Sequence, residues 1–258
     1  MFFKKKGRNG TPFFFGLKVR SPWPSQWPEG RLLDEANRHY TLVFLGNCSA
    51  PQKNEIELPS FVLGPCGLFT KVLFLPKRHP HVVAWEVKWL EPFLRDHEGQ
   101  ICRRFGKETS SIPHVTIARS PKTFHLWKEA FQILPLYAES LHLYESLGYS
   151  QYQSVWEHPF IAPFEEIEHT ADVAFCVRGE NFHNLYVNAF IALCFHCPEV
   201  APFWQDAEVN SVAEIVMALN RIVSVADTER GCPLKAVSFH GHARKREQFL
   251  EWEMIIDI

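Results

Sequence analysis

Two short runs carry residue types that move protons, His39-Tyr40-Thr41 and His114-Val115-Thr116. Side chains of an extended chain alternate between two faces, so His39 leaves with Thr41 and His114 with Thr116. Each run therefore presents one imidazole beside one hydroxyl. With 13 His and 8 Thr in 258 residues, His-x-Thr is expected by chance roughly 0.4 times. Two copies, each inside an apolar strand-like run, point to a site with two-fold pseudo-symmetry. The plainer alternative is a pair of half-buried strands whose polar residues face water. Two imidazoles facing one cleft can divide the work on a phosphodiester. One, neutral, accepts a proton from the nucleophile, and the other, protonated, gives one to the leaving oxygen. The two hydroxyls can hold the non-bridging oxygens. That chemistry needs no metal.

The elements that must position these residues follow from periodicity. Strands are expected over 11–19, 61–63, 71–75, 82–87, 138–144 and 152–157, around the two signature runs 38–46 and 113–119. Residues 89–105 and 123–133 read as amphipathic helices, the first interrupted near Gly99. Residues 47–59, with Pro51 and Pro59, show little helical period, so a helix there is short or absent. Residues 21–30 form a Pro-rich connection whose Trp23 and Trp27 pack on the body or stack a base. Residues 1–10 are a basic tail.

At the signature residues the sequence resembles the two-histidine phosphoesterases, and among them the bacterial RNA 2′,3′-cyclic phosphodiesterases also described as 2′-5′ RNA ligases. His39-Tyr40-Thr41-Leu42 with Phe44-Leu45-Gly46 is similar to the first signature, and Pro113-His114-Val115-Thr116-Ile117 with Arg119 to the second. Val82-Val83-Ala84-Trp85-Glu86-Val87 and Leu141-His142-Leu143-Tyr144-Glu145-Ser146 extend the likeness over most of residues 11–160. The resemblance implies a bilobal domain of antiparallel sheets flanked by helices. It also implies a proton donor at His39, an acceptor at His114, phosphate contacts from Thr41 and Thr116, and no cofactor. Arg119 could clamp a phosphate with its planar guanidinium, although its odd spacing from Thr116 need not place it on the same face.

A new composition begins after the Pro-bounded join at 159–163. Residues 1–160 carry 20 Lys+Arg against 14 Asp+Glu (+6), and residues 161–258 carry 7 against 15 (−8). A basic half suits a polyanion such as RNA, and an acidic half a cation or a basic protein surface. A strand over 174–178 precedes a helix over 181–196, with Asn181 as N-cap and a stripe of Phe182, Leu185, Tyr186, Ala189, Phe190 and Leu193. A second helix starts at Ser211 with capping-box spacing to Glu214, and strands over 234–240 and 252–258 close the chain. The stripes are core. Asp257, the α-carboxylate expected at Ile258 and Asp172 would offer oxygen ligands to Mg²⁺ or Ca²⁺ if Asp172 lies nearby. His169-Thr170-Ala171-Asp172, Asn184-Leu185-Tyr186, Ala218-Leu219-Asn220, Leu234 to Gly241 and Ile255-Ile256-Asp257-Ile258 together resemble archease. That family assists RtcB-type RNA ligases, and the resemblance implies metal ligation by Asp172, Asp257 and Ile258. Arg221 and the short span between Asn220 and Leu234 depart from the family pattern.

Seven Cys without framework spacing read as reduced thiols of a cytoplasmic protein, and Cys194-Phe195-His196-Cys197 is a weak zinc or redox signal. No run is long enough to span a bilayer or serve as a signal peptide. The reading is therefore α+β: a phosphoesterase domain over 11–160 and a small α/β-sandwich, archease-like domain over 161–258. Its expected substrate is RNA ending in a 2′,3′-cyclic phosphate, not DNA. The archease resemblance implies an RtcB-type RNA ligase as partner. The competing reading is a non-catalytic RNA-binding adaptor with a degenerate phosphoesterase lobe.

Overall fold

The computed structural model describes residues 11–52, 55–56, 58–108, 112–169, 172–238 and 241–258. The basic run 1–10, Thr170, Ala171, Phe239 and His240 lie outside them. The first body comprises β1 (Thr11–Arg20), β2 (Arg31–Leu32), β3 (His39–Cys48), β4 (Cys66–Leu75), β5 (Val82–Trp89), α1 (Phe93–Phe105), β6 (His114–Arg119), α2 (Phe124–Glu129), β7 (Leu134–Gly148) and β8 (Gln151–Pro159). Its antiparallel sheet runs β1-β3-β6-β5-β4-β7-β8, with β2 on β6, and closes because β7 also pairs β1. The 15 residues of β7 make closure possible: Leu134 to Tyr137 pair with β4, and Tyr137 to Glu145 with β1.

One face of this sheet is core. Phe13, Phe15 and Leu17 of β1, Tyr40 and Leu42 of β3, Trp85 of β5 and Val115 and Ile117 of β6 pack with Leu94 and Ile101 of α1 and Trp127 of α2. The alternation that buries them sends Phe14, Gly16, Lys18, His39, Thr41, His114 and Thr116 to the other face.

Several boundaries differ from the sequence expectation. The helix expected from Trp89 begins at Phe93, because Trp89 completes β5 opposite Gly67. It runs unbroken through Gly99 and ends at Gly106, whose left-handed φ of 59° suits a residue without Cβ. The helix expected over 123–133 spans only Phe124–Glu129, since Leu134 is already committed to β7. Residues 61–63 contribute a single bridge, Leu63 to Ile161, and the strand begins at Cys66. Trp23 and Trp27 pack rather than present a base-stacking face: their rings lie on Phe69, Trp85 and Trp127. The Arg38 guanidinium sits 4.7 and 5.0 Å from their centroids.

The second body comprises β9 (Phe164–Ile167), β10 (Val173–Gly179), α3 (Phe182–His196), α4 (Val212–Arg230), β11 (Ala236–Ser238), β12 (Arg244–Lys245) and β13 (Leu250–Asp257). Its sheet runs β11-β13-β10-β9, with β12 on β13. Both helix starts are capped as the sequence predicts: the Asn181 side chain accepts from Asn184 N and the Ser211 hydroxyl from Glu214 N. The stripe expected on α3 understates its burial. Every residue from Asn184 to Cys194 is buried, because α3 packs in one core that includes Cys66, Leu68 and Tyr137 of the first body. A helix covered on all sides needs no polar face.

A polar link crosses the same interface. Glu91, which follows β5, accepts from Cys66 N at 2.9 Å and from Asn184 Nδ2 at 2.5 Å. Gly179, at the end of β10, sits so close to α3 that a Cβ there would lie 2.3 Å from Leu185 N and 2.4 Å from its Cα. Gly179→Ala is expected to destabilise the fold by about 1–3 kcal/mol, read as a lower denaturant midpoint at unchanged slope. A variant as stable as wild type would show that this approach relaxes freely. Among the described residues, no helix is long and apolar enough to cross a membrane.

Candidate functional site

β3 and β6 meet through one pair, Tyr40 opposite Val115. Carrying that antiparallel register one residue each way sets His39 against Thr116 and Thr41 against His114. The two His-x-Thr units are thus related by a local two-fold axis. Tyr40 and Val115 point into the core, while His39, Thr41, His114 and Thr116 are half-buried on the opposite face.

The two imidazoles are held alike. His39 Nδ1 lies 2.9 Å from Asn37 O, and His114 Nδ1 lies 2.8 Å from Ile112 O. A carbonyl only accepts, so each Nδ1 carries the proton, and neither Nε2 has a hydrogen-bond partner among the described residues. Burial, with repulsion from His114 and His142, lowers the pKa of His39 to about 4, and its backbone hydrogen bond offsets only part of that. His39 is therefore neutral at pH 7 without an anion beside it.

Arg119 shares this face despite its odd spacing from Thr116. Across β5, Ala84 pairs Thr116 but Val83 pairs Ala118, so Ile117 is an extra residue in β6. Ile117 and Ala118 are both fully buried, and alternation resumes with Arg119 on the side of Thr116. Its Nε is buried and has no hydrogen-bond partner among the described residues.

Around His39 the sheet supplies an aromatic wall: Phe14 at 4.9 Å, Tyr144 at 5.3 Å and Tyr152, edge-on, at 4.7 Å. His142 stacks on Tyr144 at 4.8 Å. The Ser154 hydroxyl donates to Trp156 O, so it accepts from His142 Nδ1–H, and Ser140 then donates to Nε2, both at 2.7 Å. That network keeps His142 neutral, in the direction in which burial also lowers its pKa. The sequence signal for this wall was the alternation of His142 and Tyr144. Phe14 was hidden in Phe13-Phe14-Phe15, where hydrophobicity marks no face. Opposite His114 stands Glu86, occupied by Lys71 Nζ at 3.0 Å and by Thr70 Oγ1 at 3.1 Å. A cavity of about 650 Å³ opens beside these residues rather than over them, between Tyr40, Glu86, Trp89, Arg95 and Pro113.

In the second body, Val173 pairs Ile256, and extending that register brings Asp172 opposite Asp257. Asp257 accepts from the Ser238 hydroxyl at 3.0 Å, Asp172 lies 3.8 Å from His169 Nδ1, and Lys235 Nζ is 2.7 Å from the main-chain oxygen of Ile258. The donor set is oxygen, which suits Ca²⁺ or Mg²⁺, but Lys235 holds one of its members. Among the described residues, no three His, Cys, Asp or Glu side chains gather as a cation cluster. Cys194 and Cys197 are buried, and Cys197 Sγ lies 3.8 Å from Cys232 Sγ.

No protein-family model matches this sequence, and no curated protein matches it. Solved structures similar to it include E. coli LigT complexed with 3′-AMP, at 17% identity and TM-score 0.37, covering 59% of this chain and 99% of that one. Another is a phosphoesterase, at 17% identity and TM-score 0.41, covering 58% and 98%. A third is TT0787 of Thermus thermophilus, at 16% identity and TM-score 0.39, covering 58% and 97%. At this level the likeness carries no inference about chemistry, which rests on the residues themselves.

Proposed function

We propose that this protein opens 2′,3′-cyclic phosphates at RNA 3′ ends to 2′-phosphates. The observation that carries the reading is the pair of His-x-Thr units on one sheet face, each with Nδ1 tied to a carbonyl and Nε2 free. His114 Nε2 takes a proton from water as the water oxygen bonds to phosphorus. The bond from phosphorus to the 3′ oxygen breaks, and His39 Nε2–H supplies the proton that makes the 3′ hydroxyl. Thr41, Thr116 and Arg119 hold the non-bridging oxygens. The bound anion raises the proton affinity of His39, offsetting what burial takes away. RNA is the substrate class because the cyclic phosphate requires a 2′-hydroxyl.

The test is hydrolysis of a short RNA ending in a 2′,3′-cyclic phosphate, in EDTA, with the product mapped as 2′- or 3′-phosphate. A 2′-phosphate is expected. An intact cyclic end on RNA that nevertheless binds would replace this reading with the non-catalytic adaptor.

For residues 161–258 we propose an archease-like module that binds Ca²⁺ or Mg²⁺ through Asp172, Asp257 and Ile258 and assists an RtcB-type RNA ligase. The resemblance and the register that extends Asp172 towards Asp257 support it. Calorimetric titration with Ca²⁺ should give one site lost in Asp257→Asn, and absence of heat in the wild type would remove the metal from the reading.

A further inference from the structure

The far end of β6 gathers cations. Arg31 in β2 stands directly opposite Arg119 in β6, so the two guanidinium groups share the face of Thr116. Like charges directly opposed on a sheet repel. Neither forms an ion pair with another described residue. An anion between them would turn that repulsion into attraction.

The neighbouring segments continue the pattern. Residues 75–82 join β4 to β5 and place Lys77, Arg78, His79 and His81 in solvent. This turn lies against the end of β6, since Ser120 N donates to His81 O at 2.7 Å and Val82 pairs Arg119. Lys128 of α2 approaches the ring of Phe74 in β4 at 6.0 Å, from the same end. Across 29–32, 75–82 and 117–129 there are six Lys or Arg and two Glu. One of those Glu, Glu29, is paired with Lys122. The part of this surplus without an ion pair that lies against the end of β6, Arg31 with Lys77 and Arg78 of the turn, is joined to the His-x-Thr face by Arg119.

We propose that Arg31 and the 77–81 turn form a track for the sugar-phosphate backbone of single-stranded RNA, leading from the cleft over Arg119. This rests on the reading of the cleft as an RNA-end phosphoesterase and makes its substrate a polynucleotide end rather than a small cyclic nucleotide. Backbone phosphates spaced along a strand are the ligand that a row of unpaired cations fits, and a mononucleotide offers too few.

The test is binding by fluorescence anisotropy of a 12-nucleotide RNA and of a dinucleotide. Both end in a 2′-deoxy-3′-phosphate, so that no turnover occurs. The proteins are wild type, Lys77→Glu/Arg78→Glu, Arg31→Gln, and Arg244→Glu/Lys245→Glu as a control with the same change in net charge on the second body. Lys77→Glu/Arg78→Glu is expected to weaken the 12-mer at least tenfold in ~0.1 M salt. The dinucleotide should change less than twofold. The slope of log Kd against log salt for the 12-mer should fall by about 1.4, at roughly 0.7 for each single-strand phosphate that is no longer neutralised. Arg31→Gln should weaken the 12-mer in the same direction, and it adds no negative charge that could disturb the turn. Equal losses in the turn variant and the control, or equal losses for the 12-mer and the dinucleotide, would overturn the track. Because the probe cannot react, absence of hydrolysis in the catalytic assay would sink the phosphoesterase reading without touching this measurement.

Discussion

Alanine at His39 or at His114 is expected to lower kcat/KM for opening a 2′,3′-cyclic phosphate by roughly 10²–10⁴, the usual contribution of a positioned acid or base. The double variant should lose little more than the worse single one, because neither imidazole completes the reaction without the other. Each variant should still bind RNA. An inflection in kcat/KM against pH is expected near pH 4, where His39 gains its proton in the free protein. A substrate whose leaving 3′ oxygen is replaced by sulfur separates the roles, because a thiolate leaves without a proton donor. It should restore activity to His39→Ala and not to His114→Ala. Rescue of His114→Ala instead would exchange the two assignments, and full activity in either alanine variant on the ordinary substrate would end the two-histidine mechanism.

Glu91→Gln is expected to remove most of a pH dependence of stability that the wild type carries between about pH 4.5 and 8. Burial, reinforced by Glu180, raises the Glu91 pKa from 4.5 to about 8, against hydrogen bonds from Cys66 N and Asn184 that lower it. Between those values the folded state holds a proton that the unfolded state has released. Stability therefore falls as pH rises, on the order of 5 kcal/mol across the window. The glutamine has no proton to lose, so its urea-derived stability should stay flat there. It should be less stable than wild type at pH 5, since its amide nitrogen only donates and so leaves Cys66 N or Asn184 Nδ2 without its acceptor, a loss of about 1–3 kcal/mol. At pH 8 it should be the more stable of the two. Parallel curves for the two proteins would show that Glu91 keeps an ordinary carboxylate pKa and that the interface is wetter than its burial indicates.

Much of the site was legible because a strand has period two. Once residues 38–46 and 113–119 read as strands, His39 with Thr41 and His114 with Thr116 had to share faces, whatever the rest of the chain did. The helix starts at Asn181 and Ser211 were equally local, since a cap is a contact within one turn. By contrast, the end of β5 and the start of α1 depended on Gly67, a distant partner across the sheet that claims Trp89 for β5.

Residue type and spacing alone determined that this chain carries two imidazole–hydroxyl pairs and that a basic half precedes an acidic one. Only tertiary structure decided that the pairs meet, through Tyr40 and Val115, about a two-fold axis. It also decided that a bulge at Ile117 returns Arg119 to their face and that Arg31 stands opposite it. And it decided that α3 is buried all round, because a second sheet covers the side that its own sheet leaves open. The physical reason is common to these cases. Periodicity is a property of one strand or helix, whereas register, bulges and shared cores belong to pairs of segments far apart in the chain.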